Sequence, residues 1–334
     1  MKKRPTISDV AHAAGVSMMS VSRAVNNKPG LSEETRQEIL RIADEIGYRP
    51  SQIARSLATR HTSTIGLMIP DVANPFFAQI ARGAEDAAYE NDYNVFLINT
   101  AEDLEREKTA LDSLWQKEID GAILCSPRLS LEALKPYFSR FPVTVLVNRE
   151  LDSPIPNVAT INVDDALGTQ KAVEHLVDTG RKRIALIAGP ETSVSSQRRR
   201  DGYRLGLDTA QRIFDPVLIE SCPPTTDGGH DAALKLFSRA PSVDAIICFN
   251  DLVAVGAMQT CAETGWNVPT DIAVIGADNI PLASLLRPAL TTLHVDQYEI
   301  GHQASSLIME YLDKGKLHQP EIVLQPALII RNSG

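Results

Sequence analysis

Apolar residues recur at helical spacing in three stretches within the first fifty residues. The first stretch follows Thr6 and a carboxylate three residues later, which is the form of a capping box. Gly15 interrupts the pattern before the second stretch begins. The predicted helices span 7–14, 18–26 and 33–46, with Thr6, Ser17 and Ser32 as their predicted N-caps. Two short helices joined by a glycine-containing turn predict a helix-turn-helix.

From about residue 62 onward, short apolar runs alternate with longer segments of helical spacing. The predicted strands are 65–69, 95–98, 122–124, 143–147, 184–188, 245–249 and 273–276, and the predicted helices include 77–91, 104–117, 166–179, 251–264 and 298–314. Strands alternating with helices indicate parallel sheets built from βαβ units. The length of this part suits two lobes with a ligand cleft between them. We predict an α/β protein in which an all-α headpiece precedes a two-lobed body with doubly wound parallel sheets.

Charge is distributed unevenly along the 334 residues, whose formal net charge is −9. Residues 1–60 contain ten lysines and arginines against six acids, a balance of +4, whereas the remainder carries 23 against 36, a balance of −13. A small basic module on a large acidic body is the asymmetry expected when one part alone touches a polyanion.

Composition bounds the compartment and the chemistry. No apolar run approaches the roughly 18 residues of a membrane-spanning helix, and the start of the chain lacks the apolar stretch of a secretory signal. The four cysteines are scattered without metal-binding spacing, which argues for a reducing compartment and against zinc or disulfides. We expect a cytoplasmic protein with no metal, no other cofactor and no membrane partner.

The second predicted helix leaves one face outside its apolar stripe. That face carries Met18, Met19, Ser22, Arg23 and Asn26. In a helix-turn-helix such a face enters the major groove, where Arg23 can make a bidentate contact with guanine. Ser20, Ser22 and Asn26 suit phosphate contacts. The alternative is a small helical bundle with a solvated polar face, and the charge asymmetry favours DNA.

Residues 51–60 combine helical spacing with the features of a linker. A short isolated helix is marginal in water, so this one is expected to form only when it docks on something. In a dimer, two such helices can enter a minor groove together, with Leu57 as the apolar wedge between base steps. Packing of Ile53 and Leu57 on the neighbouring domain is an equally open alternative.

The string TISDVAHAAGVSMMSVSRAVN over 6–26, the YRPS and ARSL segments within 48–57 and the strand start at 64–67 resemble the LacI-type family of bacterial repressors. The resemblance covers essentially the whole chain. It implies a homodimer that binds a palindromic operator in double-stranded DNA, and a body like the periplasmic binding proteins. We divide the chain into a 1–50 headpiece, a 51–61 hinge helix or linker and a 62–334 core. Lobe 1 is expected over about 62–161 and 291–320, and lobe 2 over about 162–290 and 321–334.

The resemblance also indicates which residues meet DNA. The expected set is Thr6, Ser17, Met18, Met19, Ser20, Ser22, Arg23, Asn26, Tyr48, Ala54, Arg55 and Leu57. Met18 and Met19 occupy two of the family's principal base-reading positions, where polar or aromatic residues are more usual. Methionine cannot donate a hydrogen bond, so apolar contact, such as with a thymine methyl group, is the expected readout.

Polar side chains follow several predicted strands, at the sheet edge where ligands of such folds bind. The residues expected to contact an effector are Asn74, Phe76, Phe77, Asn148, Arg149, Ser193, Ser195, Arg199, Asn250 and Asp278. In the resembling family, Phe76, Asn148, Arg199, Asn250 and Asp278 match effector-contact positions, and such a set suits sugar hydroxyls. The alternative is that strand-end residues only cap helices and turns. Asp251 is expected as an N-cap, and Arg198 and Arg200 are expected to face solvent.

Motifs of enzymes and metal sites are absent from the sequence, including GxGxxG after a strand, the P-loop, GxSxG and HExxH. Asp227, His230 and Asp231 fit a turn and helix start better than a metal site. We therefore predict no catalytic residues and a ligand-responsive transcription regulator with a sugar as the favoured effector. Three alternatives remain. One is the same fold controlled by a phosphocarrier partner protein. The others are a solute-binding protein, which the helix-turn-helix argues against, and an enzyme of the doubly wound class, which the absent catalytic motifs argue against.

Overall fold

The structure, a computed structural model, describes residues 5–49 and 61–334. The chain divides between Thr62 and Ser63 into an N-terminal unit, here the headpiece, and a larger unit, here the core. The headpiece helices are α1 (Ile7–Ala13), α2 (Met18–Val25) and α3 (Glu33–Glu45). The expected hinge helix, with Ala54, Arg55 and Leu57, lies outside the described residues.

Each headpiece helix begins directly after the hydroxyl residue predicted to cap it. The Thr6 hydroxyl accepts a hydrogen bond from the Asp9 backbone, and the Asp9 carboxylate accepts one from the Thr6 backbone at 2.7 Å, which completes the capping box. Ser17 and Ser32 accept the equivalent bonds at the starts of α2 and α3. The three helices enclose a small core of Val10, Ala11, Val21, Ala24, Ile39 and Ala43. The predicted helix-turn-helix is therefore present.

The core contains two six-stranded sheets of similar topology. The first has the order β11-β5-β4-β3-β1-β2 and comprises β1 (Thr64–Ile69), β2 (Asn94–Asn99), β3 (Gly121–Cys125), β4 (Thr144–Val147), β5 (Val158–Val163) and β11 (Glu321–Leu324). The second has the order β12-β10-β9-β8-β6-β7 and comprises β6 (Ile184–Ala188), β7 (Ile219–Ser221), β8 (Ala245–Cys248), β9 (Ala273–Ala277), β10 (Thr291–His294) and β12 (Ala327–Ile329). All pairs are parallel except β10 with β12.

Helices cover both faces of each sheet, which confirms the doubly wound prediction. Lobe 1 carries α4 (Pro75–Tyr89), α5 (Leu104–Gln116), α6 (Leu131–Phe138) and α12 (Gln297–Lys314). Lobe 2 carries α7 (Asp165–Asp178), α8 (Val194–Thr209), α9 (Thr226–Arg239), α10 (Asp251–Glu263) and α11 (Pro281–Leu285). Strand side chains alternate between the two faces: Ile65, Leu67 and Ile69 of β1 join one hydrophobic cluster, and Met68 joins the opposite one.

Close helix pairs in both lobes depend on glycine. A Cβ atom on Gly301 of α12 would lie 1.9 Å from the Ile80 carbonyl oxygen of α4, and one on Gly202 of α8 would lie 2.1 Å from the Ala166 carbonyl oxygen of α7. These distances are far below van der Waals contact, so each pair approaches this closely only because the side chain is absent.

Three lobe boundaries differ from those expected. β10 belongs to the second sheet, so the chain returns to lobe 1 after His294 and not at 291. β11 pairs with β5 in the first sheet, so the last crossing follows Leu324 and not 320. β5 itself continues to Val163, two residues beyond the expected boundary at 161. The sequence analysis predicted none of these three strands, so it could not assign them to a sheet.

Candidate functional site

The outer face of α2 has the composition that the sequence predicted. Met18 and Met19 are 56% and 64% exposed, and Arg23 and Asn26 are also exposed. Ser22 is half-buried, and its carbonyl oxygen accepts a hydrogen bond from the Asn26 amide at 2.8 Å. Two adjacent exposed methionines followed by an arginine form a surface able to make apolar and charged contacts side by side.

The other expected DNA residues within the described part of the headpiece have structural partners there. Thr6 and Ser17 are the N-caps of α1 and α2, and the Ser20 hydroxyl lies 3.0 Å from that of Ser17. Tyr48 is half-buried and packs against the headpiece core. Caps at a helix N-terminus also lie where phosphate oxygens bind, so both roles fit Thr6 and Ser17.

Charges separate across the headpiece. The span from Ser17 to Gly30 contains Arg23 and Lys28 and no acidic residue, whereas α3 is rich in glutamate and aspartate. On α3, Arg41 pairs with Glu38 and Glu45, so that part of the acidic surface is internally neutralised. The positive residues of α2 and the following turn are thus separated along the chain from the carboxylates of α3.

A cavity between the two lobes gathers most of the expected effector residues. This inner cavity is lined by Asn74, Phe76, Phe77, Glu102, Ser126, Arg128, Asn148, Ser193, Ser195, Arg199, Pro224, Phe249, Asn250 and Asp278. Nine of the ten expected residues are among them, and they follow β1, β4, β6, β8 and β9. The space left between them is about 30 Å³, so the lobes are closed on it.

Strand order explains the position of the inner cavity. In each sheet the order reverses at one place, between β1 and β3 in lobe 1 and between β6 and β8 in lobe 2. Loops leave in opposite directions at such a point and open a crevice at the carboxyl ends of the strands. The two crevices face each other, and their loops supply most of the lining.

Arg149 is the expected residue that does not line the inner cavity. Its guanidinium donates to the carbonyl oxygens of Pro127, at 3.0 Å, and Leu129, so it fastens the loop after β3. Asn148 in front of it adopts a left-handed backbone conformation (φ 56°), which separates the directions of the two side chains. Effector contact by Arg149 is therefore not supported.

Several lining residues also cap helices, as the structural alternative proposed. Asn74, Ser193 and Asn250 are the N-caps of α4, α8 and α10. Asp251 is not a cap, contrary to expectation. It is the first residue of α10, is 1% exposed, and accepts a hydrogen bond from the Ile280 backbone at 2.8 Å. Burial raises the pKa of Asp251 to about 7, against the opposing hydrogen bonds.

Arg199 is the electrostatic centre of the inner cavity. Its guanidinium lies 2.9 Å from Asp165 and 3.8 Å from Asp278, and it donates to the Phe249 carbonyl oxygen. The same group stacks over the Phe249 ring, 4.7 Å from the centroid. Burial raises the pKa of Asp278 well above its ordinary value, although Arg199 acts in the opposite direction.

Arg128 and Glu102 were missed by the sequence argument. The guanidinium of Arg128 binds both carboxylate oxygens of Glu102, at 2.6 and 2.9 Å, and donates to the Ser126 carbonyl oxygen at 3.1 Å. Glu102 and Ser126 follow β2 and β3, so the rule used for the other strands would have found this part of the cavity. Pro224 and Phe249 also line the cavity and were not expected there.

Arg198 was expected to face solvent, but its side chain reaches from one lobe to the other. From α8 in lobe 2, it lies 2.7 Å from Glu150 and 2.9 Å from the Asn162 side-chain oxygen, both in lobe 1. Arg200, the other neighbour of Arg199, donates to the Ser221 hydroxyl within lobe 2. A polar helix face normally meets water, and only the closed lobes bring partners to Arg198.

Membrane and metal chemistry can be checked for the described part of the chain. No helix within residues 5–49 and 61–334 is both long and apolar enough to cross a membrane. The side chains of the same ranges form no cluster of three or more histidine, cysteine, aspartate or glutamate residues suited to a metal ion. His230, on α9, instead lies 2.9 Å from Glu263 of α10.

A helix-turn-helix unit joined to two lobes that enclose a polar cavity defines a ligand-responsive DNA-binding regulator. Residues 6–51 match the model of bacterial regulatory proteins of the lacI family, and residues 62–332 match periplasmic binding proteins and the sugar binding domain of the LacI family. The chain belongs to the LacI family of transcription regulators, as its motifs predicted.

Individual relatives extend over the same length. The chain is 34% identical to catabolite control protein A of Priestia megaterium, over 98% of each chain. It is similar to a lac repressor dimer bound to operator and the anti-inducer ONPF, with 28% identity, 99% coverage of both chains and a TM-score of 0.88. It is also similar to the transcriptional regulator CelR in complex with cellobiose, with 30% identity, coverage of 99% and 100%, and a TM-score of 0.75.

Proposed function

We propose that this regulator binds a palindromic operator as a homodimer and that a sugar held in the inner cavity controls its operator affinity. The observation that carries the proposal is the convergence of nine polar and aromatic residues from five strand ends on one small cavity between the lobes. The relatives support it, since one is bound to operator as a dimer and another to cellobiose.

At the DNA, α2 reads the major groove through Met18, Met19 and Arg23. Arg23 donates to guanine, and the methionines contact base edges that offer apolar groups, foremost the thymine methyl. Thr6, Ser17, Ser20, Ser22 and Asn26 approach phosphates, and Tyr48 supports the position of the headpiece. Ala54, Arg55 and Leu57 take the minor-groove role assigned to the hinge.

In the inner cavity, Asn148, Arg199, Asn250 and Asp278 bind sugar hydroxyls, while Phe76 packs on the ring. Asn74, Phe77, Ser193 and Ser195 complete the wall. Hydroxyl groups both donate and accept, and this mixture of amide, carboxylate and guanidinium groups offers both. Ligand binding stabilises one degree of lobe closure and thereby shifts the equilibrium between states of different operator affinity.

The protein acts without catalysis and works in the cytoplasm, on the nucleoid. Its cavity presents binding groups, and the function requires only differential affinity of two conformations for DNA. An assay for hydrolysis or phosphorylation of any sugar that binds tests the first statement, and fractionation of cells producing the tagged protein tests the second.

Operator binding is tested by selecting palindromes from random double-stranded DNA and measuring fluorescence anisotropy. Replacing Arg23 with alanine should weaken specific binding about tenfold or more, the value of one good bidentate contact. Arg41→Ala is the matched control, because Arg41 is exposed but paired on α3. Equal losses in both variants would contradict base reading by α2.

Sugar binding is tested by thermal unfolding with a panel of free sugars. A ligand at about one hundred times its dissociation constant adds roughly 2.7 kcal/mol, an easily visible shift. Asn148→Ala should lower the affinity of any hit while operator binding stays intact, and the exposed Asn332→Ala is the control. If no sugar in the panel shifts the unfolding transition, control by a partner protein is favoured.

A further inference from the structure

We propose that the effector of this protein is an uncharged sugar and that its phosphorylated counterpart is excluded. This inference rests on the proposed function and specifies the ligand class of the same cavity. Its basis is the arrangement of charges and unpaired polar atoms around the inner cavity.

Acidic side chains outnumber cationic ones around the inner cavity and the recess next to it. A wider recess of about 620 Å³ adjoins it and is lined by Asp71, Ala101, Glu102, Pro190, Ser221, Cys222, Pro223, Pro224 and Thr225. Within the described chain, the side chains that line the recess and the inner cavity include Asp71, Glu102 and Asp278 as acids, and Arg128 and Arg199 as cations. Asp165 adds a further carboxylate beside Arg199.

Both arginines are already neutralised by these acids. Glu102 holds Arg128 through two hydrogen bonds of 2.6 and 2.9 Å, and the Arg128 side chain is only 5% exposed. Asp165 holds Arg199 at 2.9 Å, with Asp278 at 3.8 Å behind it. A phosphate monoester carries a charge of about −1.5 to −2 at neutral pH and needs cations or free N–H donors. It would have to break one of these buried ion pairs to gain a cation.

The helix N-termini at the cavity each have one backbone N–H already engaged by a cap. α4, α8 and α10 begin there, and a helix N-terminus is the usual backbone site for an anion. At each of them a first-turn N–H already donates to the side chain of Asn74, Ser193 or Asn250. Asp251, the first residue of α10, further opposes an anion at that terminus.

Two buried atoms facing this region lack partners, and both are acceptors. The Asn148 side-chain oxygen and one carboxylate oxygen of Asp165 have no hydrogen-bond partner among the described residues. Asn148 is 6% exposed and Asp165 is 3% exposed, so bulk water does not easily compensate them. A sugar hydroxyl supplies the donor that each needs, whereas a phosphate dianion has acceptors only.

Glu102 is the specificity-determining residue in this arrangement. It lies three residues after the end of β2 and adopts a left-handed backbone conformation (φ 59°), which is costly for a residue other than glycine. Without the negative charge of Glu102, the Arg128 guanidinium would lose its bidentate carboxylate partner. Replacing Glu102 with glutamine removes the charge and preserves the shape.

The test compares free and phosphorylated sugars on the purified, full-length protein. Thermal unfolding and calorimetric titration are performed with D-ribose, D-glucose and cellobiose, with ribose 5-phosphate and glucose 6-phosphate, and with inorganic phosphate. The wild type should bind at least one free sugar and bind the phosphates at least about tenfold more weakly, a conservative value for one unfavourable buried charge. Glu102→Gln should narrow that ratio about tenfold, and Glu105→Gln, a change of an exposed residue on α5, should leave it unchanged.

The outcomes separate this inference from the proposed function. Stabilisation of the wild type by a sugar phosphate as strong as that by its free sugar overturns the inference and leaves sugar control intact. If no sugar and no phosphate stabilises or binds the wild type, sugar control itself is overturned, and this inference falls with it. If Glu102→Gln does not fold, the wild-type ratio alone decides. A folded Glu102→Gln with an unchanged ratio overturns the assignment to Glu102.

Discussion

Replacing Arg199 with methionine should destabilise lobe 2 strongly and in a pH-dependent manner. Methionine keeps an apolar stem over Phe249 but leaves Asp165 and Asp278 without their shared cation. Removing one partner of a buried ion pair typically costs about 3–5 kcal/mol, because the remaining charge is uncompensated. The Arg199 side chain is 13% exposed and that of Asp165 only 4%, so the upper part of this range applies near neutral pH.

The sign of the pH dependence follows from Asp278. Burial already raises its pKa well above the ordinary value, and Arg199 acts against that rise. Without Arg199 the pKa of Asp278 rises further, so the folded variant holds a proton that the unfolded chain releases above about pH 4. Stability of the variant therefore falls as pH increases from about 4 toward the raised pKa. The wild type shares the raised pKa in part, so the deficit relative to wild type should grow as pH rises past the pKa of Asp278 in the wild type, and should be larger at alkaline than at acidic pH.

Urea unfolding followed by tryptophan fluorescence measures this deficit. The two tryptophans are Trp115 on α5 of lobe 1 and Trp266, which packs against a hydrophobic cluster of lobe 2. A Trp115→Phe background leaves Trp266 as the reporter for the lobe that contains Arg199. The midpoint and slope then give the free energy of unfolding at each pH.

A second substitution completes a double-mutant cycle with Arg199→Met. Asp278→Asn removes the carboxylate whose charge becomes uncompensated, so the double variant should recover part of the loss caused by Arg199→Met. A loss below about 1 kcal/mol at alkaline pH, or one that does not grow from acidic to alkaline pH, would refute the description of Arg199 as the neutralising centre of the cavity.

Three further changes test other parts of the molecule. Thr6→Ala should cost the headpiece about 1 kcal/mol through loss of the capping box, measured by helical circular dichroism of the headpiece transition. Gly301→Ala should destabilise lobe 1 by several kcal/mol, because its Cβ would lie 1.9 Å from the Ile80 carbonyl oxygen; normal unfolding would contradict the close α4–α12 packing. Arg198→Met should remove the 2.7 Å contact with Glu150 and favour open lobes, seen as a larger radius of gyration in solution scattering; an unchanged radius would show that this contact does not hold the lobes together.

Local chemistry made the headpiece predictable. The hydroxyls of Thr6, Ser17 and Ser32 start three helices within one residue of the expected positions. Capping depends on residues three positions apart, so it can be predicted from a single sequence. The strands of the core were predicted from a different local signal. Seven of the twelve were located, because buried parallel strands appear in the sequence as continuous apolar runs.

Packing between distant segments was not predictable in the same way. Helix α8 contains three consecutive arginines and a buried face that includes Gly202 and Gly206. Those glycines fit against Ala166 and Val173 of α7, and close backbone contact leaves no hydrophobic period to detect. The roles of β10 and β11 likewise depend on which sheet a short strand joins, which is a property of the whole topology.

The residues at strand ends could be predicted to line the cavity. The hydrogen-bond and ion-pair partners of those residues could not. Nine expected residues line it because parallel strands place their following residues on one edge. The deviation of Arg149 arises from the backbone turn at Asn148, and the neutralisation of Arg128 by Glu102 joins residues from two different loops. Composition can suggest that charged groups are present, whereas only the folded arrangement shows which of them remain available to a ligand.

Helix α8 combines the two tasks that the proposed mechanism must connect. Arg199 lies in the cavity with Asp165 and Asp278, while the adjacent Arg198 holds Glu150 of the opposite lobe. Under the proposed mechanism, a ligand that competes for Arg199 would act on the same helix that carries the contact across the cleft. Occupancy and closure are then coupled by a single rigid element, because neighbouring side chains on a helix move together. Such a coupling requires only that the ligand bind the closed and open lobes with different affinity.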